Sequence, residues 1–240
     1  TQASFQGMSP RPPRPGRRHI LLEMAKARTR LGKRRISDLV NAPDIDDPRI
    51  IMIITLCMNT GTAAYFVDND VVALLAMKLV NMTLRHGNSK FASFVYLSYA
   101  LILGSAMGRY ESAYRYGLLA LELNEKYKNA DLEPRILFIF GFLVSHWRMH
   151  YSRTIKLLER SYRVGIETGD LNYAVYSAIN GIQYRLRYGG RLDEIYNELA
   201  GYRDFVYRVK NEEFIFEYIM AQRYILSQKS RTRSISDFSD

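Results

Sequence analysis

Breaks in the helical pattern of this chain recur every 41 residues, and this spacing constrains the fold more than any other feature. One set of breaks falls at Gly87, Lys128, Gly169 and Lys210, and a second set falls at Val67, Gly108, Met149 and Gly190. Each repeat therefore contains two segments of roughly 16 to 20 residues in which the apolar residues have helical spacing. A period of about 20 to 50 residues with two helices in each copy is typical of α-solenoids.

Equivalent positions in the copies also carry similar residue types. The position after the second break is Tyr110, Tyr151 or Leu192. Ala113 and Ala120 lie seven residues apart on one helix face, where small side chains let a partner helix approach closely. We therefore predict an all-α fold, a TPR-like α-α superhelix of roughly four to five helix pairs with a ~41-residue period.

The net charge of +10 is concentrated near the N-terminus. Residues 1–35 contain ten Lys and Arg residues against the single acid Glu23, whereas the rest of the chain is nearly neutral. Such a basic segment suits nucleic acid, anionic lipid or an acidic protein surface, and a solvated linker beside a helix is the plainer interpretation.

The ends of the chain do not follow the repeat. Residues 1–16 combine Pro, Arg, Gly and Ser without an apolar period, which predicts a disordered Pro/Arg-rich linker. The helical-repeat domain is predicted for residues 17–229 and a Ser/Arg tail for residues 230–240. Arginines precede Ser234 and Ser236 in this tail, so both serines are candidate phosphorylation sites.

No pattern typical of an enzyme or a metal site is present in the sequence. Cys57, the single cysteine, lies in an apolar run and is expected to pack as a small hydrophobic residue. His146 and His150 are four residues apart, but no acid or cysteine nearby completes a set of ligands. There is no phosphate-binding Gly-x-x-x-x-Gly-Lys-Ser/Thr loop and no Gly-x-Ser-x-Gly elbow. We therefore predict a non-catalytic segment without a cofactor.

One segment has a composition that also suits a membrane. Residues Phe91–Gly108 are uncharged and contain Gly104 four residues before Gly108, as in some membrane helix pairs. The segment lies inside the repeat and contains several Ser and Tyr residues, so we predict a buried helix of the array and no membrane span. The N-terminus also lacks the apolar stretch of a signal peptide, which favours a cytoplasmic location.

The first helix of each pair is expected to line the concave face of the array. With the repeat aligned on Ala113, that face should include His146, Asn180, Tyr184, Arg187 and Gln228. One cation with amide and phenol groups is a mixture suited to gripping a peptide or an acidic segment. Alternatively, most of these aromatic residues simply fill the core with their hydroxyl groups at its rim.

Several stretches of the sequence resemble one family of proteins. They are Asp47–Phe66, Leu79–Leu84, His86–Ser89, Gly117–Leu121, Ser145–Trp147, Thr168–Ala174 and Gly190–Asp193. They are similar to the helical region of very large multidomain signalling proteins, in which a kinase-like module and an AAA/STAND-type ATPase precede the helical region. A GAF or PAS sensor and often a histidine kinase follow it. The resemblance covers about residues 17–210, and its motifs are structural.

The resemblance implies a cytosolic helical segment that couples an upstream NTPase to a downstream output. We therefore expect a scaffold for protein–protein interaction and signal relay, whose partners are neighbouring NTPase or kinase modules or a peptide. The alternative is a helical-repeat protein that binds nucleic acid through its basic N-terminal arm. These two functions differ in salt dependence, because binding to phosphates weakens steeply as salt is raised.

Overall fold

The computed structural model describes residues 17–64 and 68–229. Regular structure in these residues is helical, as predicted, apart from an isolated bridge between Asp44 and Asn88. The predicted linker and Ser/Arg tail lie outside the described residues, as do Ser234 and Ser236.

The described residues divide into two compact units. The N-terminal unit combines residues 17–35 with residues 42–89, and the C-terminal unit combines residues 36–41 with residues 90–229. Each unit has its own packed helices.

Three helices form the N-terminal unit. They are α1 (Arg17–Leu31), α2 (Pro48–Ala64) and α3 (Asn69–His86). Both α1 and α2 pack against α3. The buried Asn81 side chain of α3 fixes α1, because its amide group donates at 2.8 Å to the main-chain and side-chain oxygens of Glu23. Arg30 donates in return to the Asn81 carbonyl group. Most of the basic segment is therefore part of a packed helix.

The chain leaves α3 through Gly87, whose φ of 108° lies in the region that favours glycine. The next residue, Asn88, donates its N–H to the Pro43 carbonyl oxygen at 2.7 Å. The Asn88 carbonyl oxygen accepts from Ile45 N–H, also at 2.7 Å. The segment before α2 and the segment after α3 are thus held together by main-chain hydrogen bonds.

The C-terminal unit begins with a 3-10 turn, Ile36–Asn41. Its helices are α4 (Ala92–Leu101), α5 (Tyr110–Lys126), α6 (Glu133–Phe138), α7 (Tyr151–Thr168), α8 (Leu171–Tyr188), α9 (Leu192–Gly201), α10 (Arg203–Val209) and α11 (Glu212–Gln228). Helices that follow one another are neighbours, as α4 packs on α5, α6 on α7 and α7 on α8.

Helices in this unit end and begin where the sequence pattern breaks. Helices α5, α7 and α9 begin at Tyr110, Tyr151 and Leu192, so each begins 41 residues after the last. The first helices of the pairs are less regular, because α6 begins 41 residues after α4 but α8 begins 38 residues after α6. Asp170 and Asn211 cap α8 and α11, since their side chains accept hydrogen bonds from N–H groups of the first turns.

Three local features depart from the regular helices that the sequence predicts. Helix α4 continues into a wider π turn, Ile102–Ala106. Helix α6 continues into a π turn, Ile139–Val144, and a short 3-10 turn, Ser145–Trp147. The segment predicted as one helix after Gly190 is interrupted at Tyr202, between α9 and α10.

Close packing surrounds both π turns. The Trp147 ring lies directly over Gly104, where a β-carbon would come within 2.2 Å of the ring. Phe140 of the second π turn lies against Gly117 of α5, where a β-carbon would be 2.4 Å from its ring. Two large rings are thus accommodated where the facing helices carry no side chain.

The segment from Phe91 to Gly108 forms α4 and its π turn. Val95, Leu97 and Ala100 in this segment are fully buried, which confirms the predicted buried helix. None of the helices in the described ranges is both long and apolar enough to cross a bilayer.

The last helices of the unit share one apolar core. Its buried residues are Val175, Ile179, Ile182, Ile195, Leu199, Val206, Phe214, Tyr218 and Ile225. The ring of Tyr176 on α8 meets the Phe214 ring of α11 edge to face, with 4.8 Å between centroids. Helices α8, α9, α10 and α11 are therefore joined through their apolar faces.

Candidate functional site

Three of the five predicted face residues meet at the main-chain carbonyl group of Phe142. The Nδ1 atom of His146 and the hydroxyl group of Tyr184 each lie 3.1 Å from this oxygen. The guanidinium group of Arg187 lies over the Tyr184 ring, 5.4 Å from its centroid. The end of α6 and the end of α8 are thus connected through one backbone oxygen, and we call these four residues the Phe142 cluster.

The Phe142 carbonyl group can accept two side chains because the helix is ending there. In the π turn, the Ser145 N–H donates to Phe140, one residue further back than in an α-helix. Carbonyl groups in the last turn of a helix lack regular main-chain donors and take side chains or water instead. An imidazole N–H and a phenol hydroxyl fill that need at Phe142.

This geometry fixes the protonation state of His146. A carbonyl oxygen only accepts, so Nδ1 carries the proton and Nε2 is left as an acceptor when the ring is neutral. Burial lowers the pKa of His146, the hydrogen bond to Phe142 opposes this shift, and the charge of Arg187 adds to it. The ring is therefore neutral at pH 7, and Arg187 supplies the positive charge of the cluster.

Aromatic side chains from neighbouring helices surround the Phe142 cluster. Tyr151, at the start of α7, meets the Tyr184 ring edge to face at 5.4 Å. The Trp147 ring lies 4.5 Å from His146 and 4.7 Å from Tyr110 at the start of α5. Tyr110 and Tyr151 are 44% and 37% exposed, so they present phenol groups to solvent beside Arg187.

The sequence analysis did not include Tyr110, Tyr151 or Trp147 in the predicted face. Tyr110 and Tyr151 occupy the same position of two repeats, the first residue of the second helix. That equivalence was the available signal, because residues at one position of a repeat lie at the same edge of the array.

The other predicted face residues lie elsewhere. Asn180 is buried in α8 and its amide group donates to the Tyr176 carbonyl oxygen at 2.8 Å. Gln228 is exposed at the last residue of α11. Tyr184 itself is 3% exposed, so its hydroxyl group holds the structure together while Arg187 and part of His146 face solvent.

The histidine pair of the sequence separates in the structure. His150 is the N-cap residue of α7, where its Nδ1 atom accepts from Ser152 N–H, and its ring meets Tyr188 edge to face. His146 faces the Phe142 carbonyl group instead. Within residues 17–64 and 68–229, no group of three or more His, Cys, Asp and Glu side chains could hold a metal ion.

The groups around Phe142 are suited to binding. They combine one exposed guanidinium group, one imidazole acceptor and two exposed phenol rings, and an ion pair between Arg148 and Glu111 lies beside them. Arginine and tyrosine are the residues most often found at the energetic centres of protein interfaces.

The chain is similar to one region of a signalling kinase. Hybrid signal transduction histidine kinase G of Dictyostelium discoideum is 26% identical to it over 171 residues, which is 70% of this chain. The chain spans only 5% of the length of that kinase. No protein-family model matches the chain, and no solved structure matches it significantly. The similarity agrees with the signalling-kinase part of the family resemblance.

Proposed function

We propose that this chain is a non-catalytic, TPR-like helical-repeat segment of a larger cytoplasmic signalling protein that carries ATPase and sensor-kinase modules. In this role it binds a protein partner and relays that binding to neighbouring modules. The arrangement is a superhelix of helix pairs, in which each pair completes its core by stacking on the next.

The observation that carries this proposal is the similarity to hybrid signal transduction histidine kinase G. It extends over 70% of this chain yet includes only 5% of the kinase. A segment of this kind is one part of a long polypeptide and acts through the modules beside it. The starts of α5, α7 and α9, 41 residues apart, support a repeated architecture.

The surface around Arg187 is the proposed site for the partner. Its guanidinium group is exposed and already stacked on Tyr184, so little side-chain entropy is lost when it pairs with a carboxylate. Tyr151 and Tyr110 add exposed rings on the same surface. This chemistry fits an acidic peptide that contains an aromatic residue.

A peptide titration tests this site. We expect a hexapeptide of glutamates with one central phenylalanine to shift the amide NMR signals of residues 146–151 and 184–188. Arg187→Gln should weaken its binding about tenfold, because a hydrogen bond to a charged group contributes roughly 1.5–3 kcal/mol. The matched control is Arg163→Gln, an exposed arginine on α7, which should leave the affinity unchanged. Equal effects of both variants would contradict the proposed site.

Nucleic-acid binding is the second candidate function, and the exposed cations of α1 favour it. Arg18 and Arg28 are exposed on this helix, and Lys33 is exposed just after it. Deleting residues 1–35 would remove the helix that packs on α3, so the test replaces these three cations by glutamine instead. If this candidate is right, a 20-base-pair DNA duplex binds, the affinity falls steeply with salt and the triple variant loses it. The relay function predicts no such binding.

A further inference from the structure

Helix α11 carries an apolar stripe that the described part of the chain leaves uncovered. Phe216, Met220 and Tyr224 are 64%, 40% and 48% exposed. They are spaced four residues apart and therefore lie along one side of the helix. An exposed row of three large apolar side chains on one helix marks an interaction surface.

The same positions are buried in the earlier first helices of the pairs. Counting back by 41 residues, the equivalents of Met220 are Ile179, Phe138 and Leu97, and each is buried. Phe138 shows what covers them, because its ring contacts Tyr173 and Tyr176 on the next first helix, α8. The α11 stripe is therefore the side on which another helix packs.

A neighbouring position on α11 also lacks a counterpart. The equivalents of Glu217 reach the next first helix, since Arg135 pairs with Asp170 at 2.9 Å and Tyr176 contacts Phe214. The Oε2 atom of Glu217 is buried and accepts no hydrogen bond from the described residues. An unsatisfied buried carboxylate oxygen is costly, so a cation supplied from outside α11 would stabilise it.

The residues that follow α11 are poorly suited to cover the stripe. Residues 230–240 contain only Ile235 and Phe238 as apolar side chains. These two are too few to form the apolar face of a helix as long as α11.

The charges along α11 are complementary to those of a second α11 in the opposite direction. Glu212, Glu213 and Glu217 lie in the N-terminal half, and Arg223 lies in the C-terminal half. In an antiparallel pair centred on Met220, Phe216 faces Tyr224 of the second copy and Glu217 faces Arg223 of the second copy. The dipoles of the two helices also oppose each other in this arrangement.

We propose that the α11 stripe is a homodimer interface, on which a second copy of this chain packs its own α11 antiparallel about a two-fold axis at Met220. Each copy then supplies the helix that the other lacks. A two-fold contact of this type uses the same surface on both molecules and closes after two.

The size of the stripe sets the strength of this dimer. A stable interface buries about 800 Å² on each partner, which is more than three partly exposed side chains provide. We therefore expect a dissociation constant on the order of 10–100 µM for the isolated chain.

Sedimentation equilibrium between about 5 and 500 µM tests the interface. The chain should pass from monomer to dimer over this range, and the double variant Phe216→Ser, Met220→Ser should bind at least ~10-fold more weakly. The matched control Leu118→Ser, Ile166→Ser removes two exposed apolar side chains from α5 and α7 and should dimerise normally. A chain that stays monomeric at all concentrations, or a dimer insensitive to the α11 variants, overturns the proposal.

Spin labels test the antiparallel arrangement without changing the stripe. Glu213→Cys or Gln228→Cys is labelled in a Cys57→Ser background, and distances within the dimer are measured. In a mixture of the two labelled proteins, positions 213 and 228 should be close, whereas two labels at 213 should lie roughly 21 Å apart along the helix axis. Short distances between identical sites would show a parallel contact and overturn the proposed geometry.

Discussion

Replacing Gly87 by alanine is expected to destabilise the N-terminal unit by about 3 kcal/mol. With φ at 108° and ψ at −168°, Gly87 adopts a conformation that residues with a β-carbon rarely reach. A β-carbon there would also lie 2.1 Å from the Pro43 carbonyl oxygen. That oxygen is held by the hydrogen bond from Asn88, so the clash is relieved only by separating the two segments. Hydrogen exchange of the α3 amides should accelerate accordingly.

The same substitution at Gly181 is the control. Gly181 lies in the middle of α8, and a β-carbon at this position meets no atom within 4 Å. Gly181→Ala should therefore stabilise the chain by up to about 1 kcal/mol, because alanine favours the helical conformation. If both variants change stability in the same direction, the tight turn at Gly87 does not exist in solution.

Replacing Phe214 by alanine is expected to cost about 4 kcal/mol in the C-terminal unit. Phe214 is 1% exposed, and its ring joins α11 to the core shared with α8 and α9. Removing the ring leaves a cavity between helices that cannot collapse without moving α11. Urea unfolding followed by circular dichroism measures this loss.

Phe216 on the same helix provides a matched comparison. Its ring is 64% exposed, so Phe216→Ala should change the stability of the monomer by no more than about 0.5 kcal/mol. The comparison is made at a few micromolar protein, where the proposed dimer is dissociated. Equal losses for the two variants would show that α11 is rotated relative to the structure described above.

Local signals in the sequence were sufficient to predict the helix ends. Asp47 before Pro48 predicted the start of α2, and the Asp47 carboxylate accepts from Arg49 N–H at 2.9 Å. The breaks at Gly169–Asp170 and Lys210–Asn211 coincide with a helix end and a capping side chain in each case. Such signals act within one turn of helix, which is why they can be read from the chain alone.

The π turns and the break at Tyr202 could not be predicted in the same way. The turn at Ile139–Val144 is accompanied by the packing of Phe140 against Gly117, which is more than twenty residues away in sequence. The Trp147 ring over Gly104 involves a similar long-range contact. A period in the sequence says which residues are equivalent, and packing between helices decides how each helix ends.

The candidate site was predicted in part for the same reason. The repeat placed His146 and Arg187 at equivalent positions, and both are found at the Phe142 cluster. It did not show that Tyr184 and Asn180 point inward, because the orientation of a helix depends on the neighbours it packs against.

Trp147 is the single tryptophan of the chain, and it lies between His146 and Tyr110 over Gly104. Its indole fluorescence therefore reports on this one surface without any attached dye. Contact with a peptide changes the polarity around the half-exposed ring, and protonation of the adjacent imidazole quenches its emission. The native protein thus carries an optical sensor at the place where a partner is proposed to bind.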